Sequence, residues 1–144
     1  MFKRIVVAHN ESAESKRAFI SALRLAQSLN AELHAITVVD ALPAYTAYAG
    51  AVDASISRVL KEDQMKQYED LQTAARSLAT DYNIELRSHL IEGRQVEAII
   101  DFLRKHQADL LVVGLHPRDL LISRLWSTVY ELAQEAPCSV LGVH

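Results

Sequence analysis

The sequence predicts an α/β fold: a doubly wound five-stranded parallel sheet with helices on both faces. Three observations carry that expectation. Short apolar runs such as Ile5–Ala8 and Leu110–Val113 alternate with longer segments whose apolar residues recur at helical spacing. The resulting order is β-α-β-α-β-α-β-α-β, without an internal repeat or low-complexity stretch. At 144 residues, 50% of them apolar, with four glycines and three prolines, the chain suits one compact domain spanning residues 1–144.

The first strand, Ile5–Ala8, runs into the polar turn His9-Asn10-Glu11-Ser12. Ser12 is placed to cap the next helix, and Glu14 falls in its positive first turn. Phe19, Ala22, Leu23 and Ala26 repeat at i, i+3, i+4, i+7 and so share a buried face, with Asn30 as a left-handed stop. Leu33–Val39 is the second strand. Asp40–Ala51 breaks the rhythm as an aperiodic loop carrying Tyr45 and Tyr48, which could close over a base, serve a dimer contact or belong to a mobile loop. A long helix over about Asp53–Tyr82 turns Ile56, Leu60, Leu71, Ala75, Leu78 and Tyr82 inward. Glu85–Glu92 is the third strand. Gly93-Arg94 then enters a helix that buries Val96, Ile99, Ile100 and Leu103. The fourth strand, Leu110–Val113, ends at Gly114. A polar loop leads to a helix with Leu125, Val129, Leu132, Ala133 and Ala136 inward, and Ser139–Val143 closes the chain as a strand.

Composition narrows the function classes. The net charge is −3 with both signs interspersed, not the basic field of a nucleic-acid binder. No stretch approaches the roughly 18 apolar residues of a membrane span, and the start of the chain lacks a signal-peptide pattern. The lone Cys138 cannot staple the fold and reads as a small apolar residue in a strand-like run. A cytoplasmic location is expected.

Right-handed crossovers bring the strand-to-helix turns to one edge of the sheet, where such folds bind ligands. The turn after Gly114 is of special interest. A helix N-terminus presents free N–H groups and a positive dipole to a phosphate. Ser123, Ser127 and Thr128 add hydroxyls.

Taken together, these residues resemble the universal stress protein family. The matching pieces are Ile5-Val6-Val7-Ala8 with Ser12 and Ser15-Lys16-Arg17-Ala18, then Glu92-Gly93, Asp109–Gly114, and Glu135-Ala136-Pro137-Cys138-Ser139-Val140-Leu141. The resemblance covers essentially the whole chain in order. It implies a Rossmann-like fold of the adenine nucleotide alpha hydrolase kind, a stress-response role, and dimers formed through the last strand, here Ser139–Val143. That strand is an edge with unpaired backbone, which favours pairing with a second copy.

In the family's nucleotide-binding branch, the first strand ends in an aspartate, and the fourth is followed by G-x-x-G, nine residues, then G-S or G-T. Laid on this chain, the first glycine is Gly114 and the hydroxyl is Thr128. The second glycine falls on Pro117, the third on Ser127, and the aspartate on Asn10, followed by Glu11. Proline has no N–H and a fixed φ, so it cannot replace that glycine. Ser127 adds a side chain where close backbone approach is needed, and Glu11 brings a charge that opposes phosphate. The resemblance therefore points to the branch without tight ATP binding and without a firm cofactor. The alternative is an adenine-nucleotide module, for ATP or AMP, anchored by Asn10, Val39, Asp40, Gly93, Gly114, Ser127 and Thr128.

Other readings compete for the same residues. His9 and His116 follow the first and fourth strands, which the resemblance implies are adjacent, and could hold a metal with Asp40 or Glu92, supporting slow phosphoester hydrolysis. No short ligand spacing joins them, so both are read as ordinary polar loop residues. His34 and His89 are expected at surface or satisfied core positions, and His106 near a helix C-terminus. Arg94, Arg118 and Arg124 could receive an anion or simply be solvated. No nucleophile, base and oxyanion donors converge, so neither catalytic nor metal residues are assigned. An unidentified protein partner remains compatible with the sequence.

Overall fold

The computed structural model describes residues 1–39, 54–116 and 128–144. Within them lie β1 (Arg4–Ala8), α1 (Ala13–Leu29), β2 (Glu32–Val39), α2 (Ala54–Asp81), β3 (Leu86–Glu92), α3 (Gln95–Lys105), β4 (Leu110–Gly114), α4 (Thr128–Glu135) and β5 (Ser139–Val143). The strands form one parallel sheet in the order β3-β2-β1-β4-β5. The chain therefore winds outward from β1 in one direction and then from β4 in the other, with the reversal between β1 and β4.

Strand alternation divides the core into two layers. Ile5 and Val7 face Phe19 and Leu23 of α1 and Ala75 and Ala79 of α2. Val6 and Leu111 face Ile99 and Leu103 of α3 and Leu132 of α4. Each large side chain fully buried in this way stabilises the fold by roughly 1.5–3 kcal/mol. Both faces of the sheet are covered, as the sequence predicts.

The boundaries of α1 follow their expected causes. Ser12 sits in extended backbone and accepts a hydrogen bond from Ser15 N–H, while Asn30 adopts the left-handed conformation at φ 52°. At the start of the sheet the Asp109 carboxylate accepts bonds from Lys3 and Arg4 N–H, fixing β1 beside β4.

Some expectations need correction. Ala133 is exposed, because Val129, Leu132 and Ala136 suffice for the narrow contact of the short α4. The third strand begins at Leu86 rather than Glu85. In α2, Ala75 is buried and Leu60, Leu71 and Leu78 are only half-buried, as is Tyr82 just beyond the helix. The helix has 28 residues, about 42 Å at 1.5 Å each, against about 23 Å for the seven residues of β3. It outruns the strand, so Val59 and Met65 remain 51% and 46% exposed. The Ile56 side chain, the loop Asp40–Ala51 with its tyrosines, and Leu125 lie outside the described residues.

Candidate functional site

The reversal between β1 and β4 opens a cleft at the carboxyl end of the sheet, where ligands of such folds bind. The described residues enclose about 130 Å³ there, between the β1 turn, the first turn of α1, Gly114 and the start of α4. Ligand pockets generally measure roughly 300–1,000 Å³. Asn10, Gly114 and Thr128 line this cleft. Val39 and Gly93 do not line it. The Gly93 N–H donates to the Val39 carbonyl at 3.0 Å, and Gly93 takes φ 151°, which side-chain-bearing residues rarely adopt. Asp40 and Ser127 lie outside the described residues, as do Pro117, Arg118, Ser123 and Arg124.

The polar groups at the β1 turn are already engaged. Asn10 Oδ1 accepts from Ser12 N–H at 2.8 Å, closing a local turn, and Asn10 N–H donates to Ser15 Oγ at 2.7 Å. Ser12 Oγ accepts from Ser15 N–H at 3.2 Å. Gly114 is required by packing: a Cβ there would come within 2.4 Å of the Glu14 carbonyl oxygen. Glu14 lines the cleft, and its Oε1 lies 3.9 Å from His116 Nε2. Its carboxylate complements the positive end of α1, a place that would otherwise attract phosphate. Among the described residues, no lysine or arginine lines the cleft.

His9 departs from the expected ordinary polar loop residue. It is buried, with its ring centroid 4.7 Å from that of Phe19. Burial pushes its pKa down to about 4. Its N–H donates to the Ile36 carbonyl and its carbonyl accepts from Thr37 Oγ1, prolonging the end of β1. His116 is exposed. Among the described residues, no group of three His, Cys, Asp or Glu side chains could hold a metal ion. Arg94 is solvated and lies 3.8 Å from Glu97.

A second polar assembly lies toward the amino end of β2 and β3. His34 is buried, and its Nδ1 lies 2.9 Å from His89 Nε2 while its Nε2 bonds Glu32. Arg87 donates to Glu32 at 2.9 Å and Arg4 Nε lies 3.5 Å from it. The satisfied-core expectation therefore holds for His34, and His106 ends α3 as anticipated. The assembly itself is invisible to spacing rules within one segment. Its trace in sequence is Glu32-x-His34 and Arg87-x-His89 on two strands, joined only by their register. His89 and His106 also line an open groove of about 710 Å³ between β3 and α3, with Arg94, Asp101 and Lys105.

Comparison with known proteins gives a consistent result. A model described as the universal stress protein family matches residues 1–144. A universal stress protein of Methanocaldococcus jannaschii is 29% identical over 144 residues, covering 99% of this chain and 82% of that relative. The solved universal stress protein UspA from Lactobacillus plantarum superposes with a TM-score of 0.81 at 24% identity, over 99% of this chain and 98% of the other. A universal stress protein solved in complex with cAMP gives 0.77 at 24% identity, over 99% and 97%. Among the described residues, no helix is long and apolar enough to cross a membrane.

Proposed function

This chain belongs to the universal stress protein family, and from that premise we propose that it acts as a dimeric cytoplasmic regulatory factor of the stress response. In this reading its cleft does not hold ATP tightly by the family's glycine-loop mode. The carrying observation is the cleft wall: Gly114 is packed against the Glu14 backbone, and the Glu14 carboxylate stands at the α1 N-terminus. A triphosphate would meet that charge, with the second and third glycine positions filled by Pro117 and Ser127.

A second reading is a site for a smaller adenine nucleotide. It is favoured by the cAMP complex of a structural neighbour and by Thr128, whose position at the start of α4 borders the cleft. Thermal melting with millimolar ATP, AMP and cAMP separates the two, because a ligand bound at 100 times its Kd stabilises by about 2.7 kcal/mol. The first reading expects no shift with any of them. A shift with AMP or cAMP alone supports the second, and a strong shift with ATP overturns the first.

The dimer is proposed through β5, the outer strand beside β4, on which Leu141 is 37% exposed. Leu141→Lys places a charge on that strand and is expected to convert a dimer to a monomer in sedimentation equilibrium, with the fold intact by circular dichroism. Unchanged association would refute this interface. The cytoplasmic placement is supported by the unpaired Cys138 thiol, which suits a reducing compartment.

A further inference from the structure

Residues two apart in a strand share a face, and partners across a parallel ladder do too. Glu32 and His34 of β2 therefore face the same way as Arg87 and His89 of β3, through the pairings His34↔Arg87 and Ile36↔His89. The last turn of α3 covers this corner. Phe102 lies 4.7 Å from His89 and 4.0 Å from His106, between ring centroids, and the His106 ring lies 5.6 Å from both other histidines.

We propose that His34, His89 and His106 form an acid-operated latch that accepts one shared proton and releases the end of α3 when a second arrives. The first proton has a defined place. Glu32 as a carboxylate can only accept, so His34 Nε2 carries the hydrogen between them. With His34 neutral, its Nδ1 is then an acceptor and His89 Nε2–H the donor. A proton taken up by His89 at its other ring nitrogen lets the Nε2 hydrogen pass to His34 Nδ1. The positive charge then resides beside the Glu32 carboxylate, and no new buried group is left unpaired.

The second proton has no such partner. Among the described residues, the charged groups facing the cluster are Arg4 from β1, Glu32 from β2, Arg87 from β3, and Asp101 and Lys105 from α3. Cations outnumber anions, so each added positive charge raises the repulsion. Burial, then the neighbouring cations, hold both His89 and His106 below the ordinary histidine pKa. His106 is the group free to yield. It stacks on Phe102, its N–H donates to the Phe102 carbonyl at 3.0 Å, and its own carbonyl accepts from Arg4. Expelling its ring unpacks the last turn of α3. The first five residues of that helix include Gln95 and Ile99, which line the cleft, so one element touches both places. This inference is independent of whether the cleft binds a nucleotide.

The test is a pH titration of the full chain by NMR, reading histidine ring nitrogens and amide exchange together. The expected result is that the first proton is read at His89 and the second at His106, in a later step at lower pH. Amide exchange over Leu103–His106 should accelerate about tenfold or more through the later step, tenfold being the equivalent of one pKa unit of coupling. His106→Phe keeps an aromatic stack and should abolish that acceleration while leaving the first step where it is. Glu32→Gln should move the same step to lower pH and leave His9 unchanged. An acceleration that persists in His106→Phe would overturn the proposal, as would amide protection that stays constant across both steps.

Discussion

At the carboxyl end of the sheet, Asn10, Ser12 and Ser15 bond one another across five residues or fewer. At the amino end, His34 and His89 bond across a separation of 55. The contrast separates two uses of polar side chains. The first set satisfies backbone N–H groups at a helix entrance, so it stabilises the turn with or without a ligand. The second set is assembled only by strand register and holds ionisable groups close together at partial burial. The cleft lies where the topology leads one to look for function. The concentration of titratable chemistry lies at the opposite end.

The largest expected effect is acid loss of stability at His9, on the carboxyl side. Its folded pKa of about 4 lies below the unfolded value of about 6.5, so the unfolded chain takes up the proton first. The stabilisation from neutral His9 is fully present above pH ~6.5, declines as pH falls towards 4, and is gone below that. The decline amounts to about 3 kcal/mol at 1.36 kcal/mol per unit. Urea unfolding across this range checks it. His9→Phe should flatten most of the slope, and the residual slope then belongs to His89 and His106, which shift in the same direction. An unaltered slope would move the acid sensitivity to the amino end.

A smaller effect is expected from Gly114→Ala. The new Cβ would meet the Glu14 carbonyl, which cannot rotate away, and such overpacking costs about 2 kcal/mol. A loss below about 0.5 kcal/mol in denaturant midpoint would show that this glycine is not a packing residue, and would restore it to a ligand-binding role. Ser12→Ala removes the α1 cap and should cost about 1 kcal/mol by the same measurement. No loss there would mean that the cleft hydroxyl is not engaged by the fold.

Much of this was legible in the sequence, for reasons that are local. Ser12, Asn30 and the apolar repeat of α1 determine that helix within their own segment. The order of strands and helices implies two covered faces. What escaped is what depends on distant partners. Ala133 has the right spacing for burial but is exposed, and the first half of α2 extends past β3. His9 follows a strand in a polar turn, yet Phe19 of the next helix reaches it and makes it a core residue. In the candidate site, Asn10, Gly114 and Thr128 do converge on one cleft. Val39 and Gly93 bond each other elsewhere on the sheet edge. The histidine cluster had no signature within a single segment, because only the β2–β3 register brings its members together.

Calorimetric titration of the purified chain with ATP is the most direct measure of whether the cleft's polar groups are committed to the fold. No saturable heat up to millimolar ATP is expected, corresponding to binding no stronger than about −4 kcal/mol. Saturable binding with a micromolar Kd would show that the β1–β4 cleft retains a working triphosphate site despite Glu14, Pro117 and Ser127.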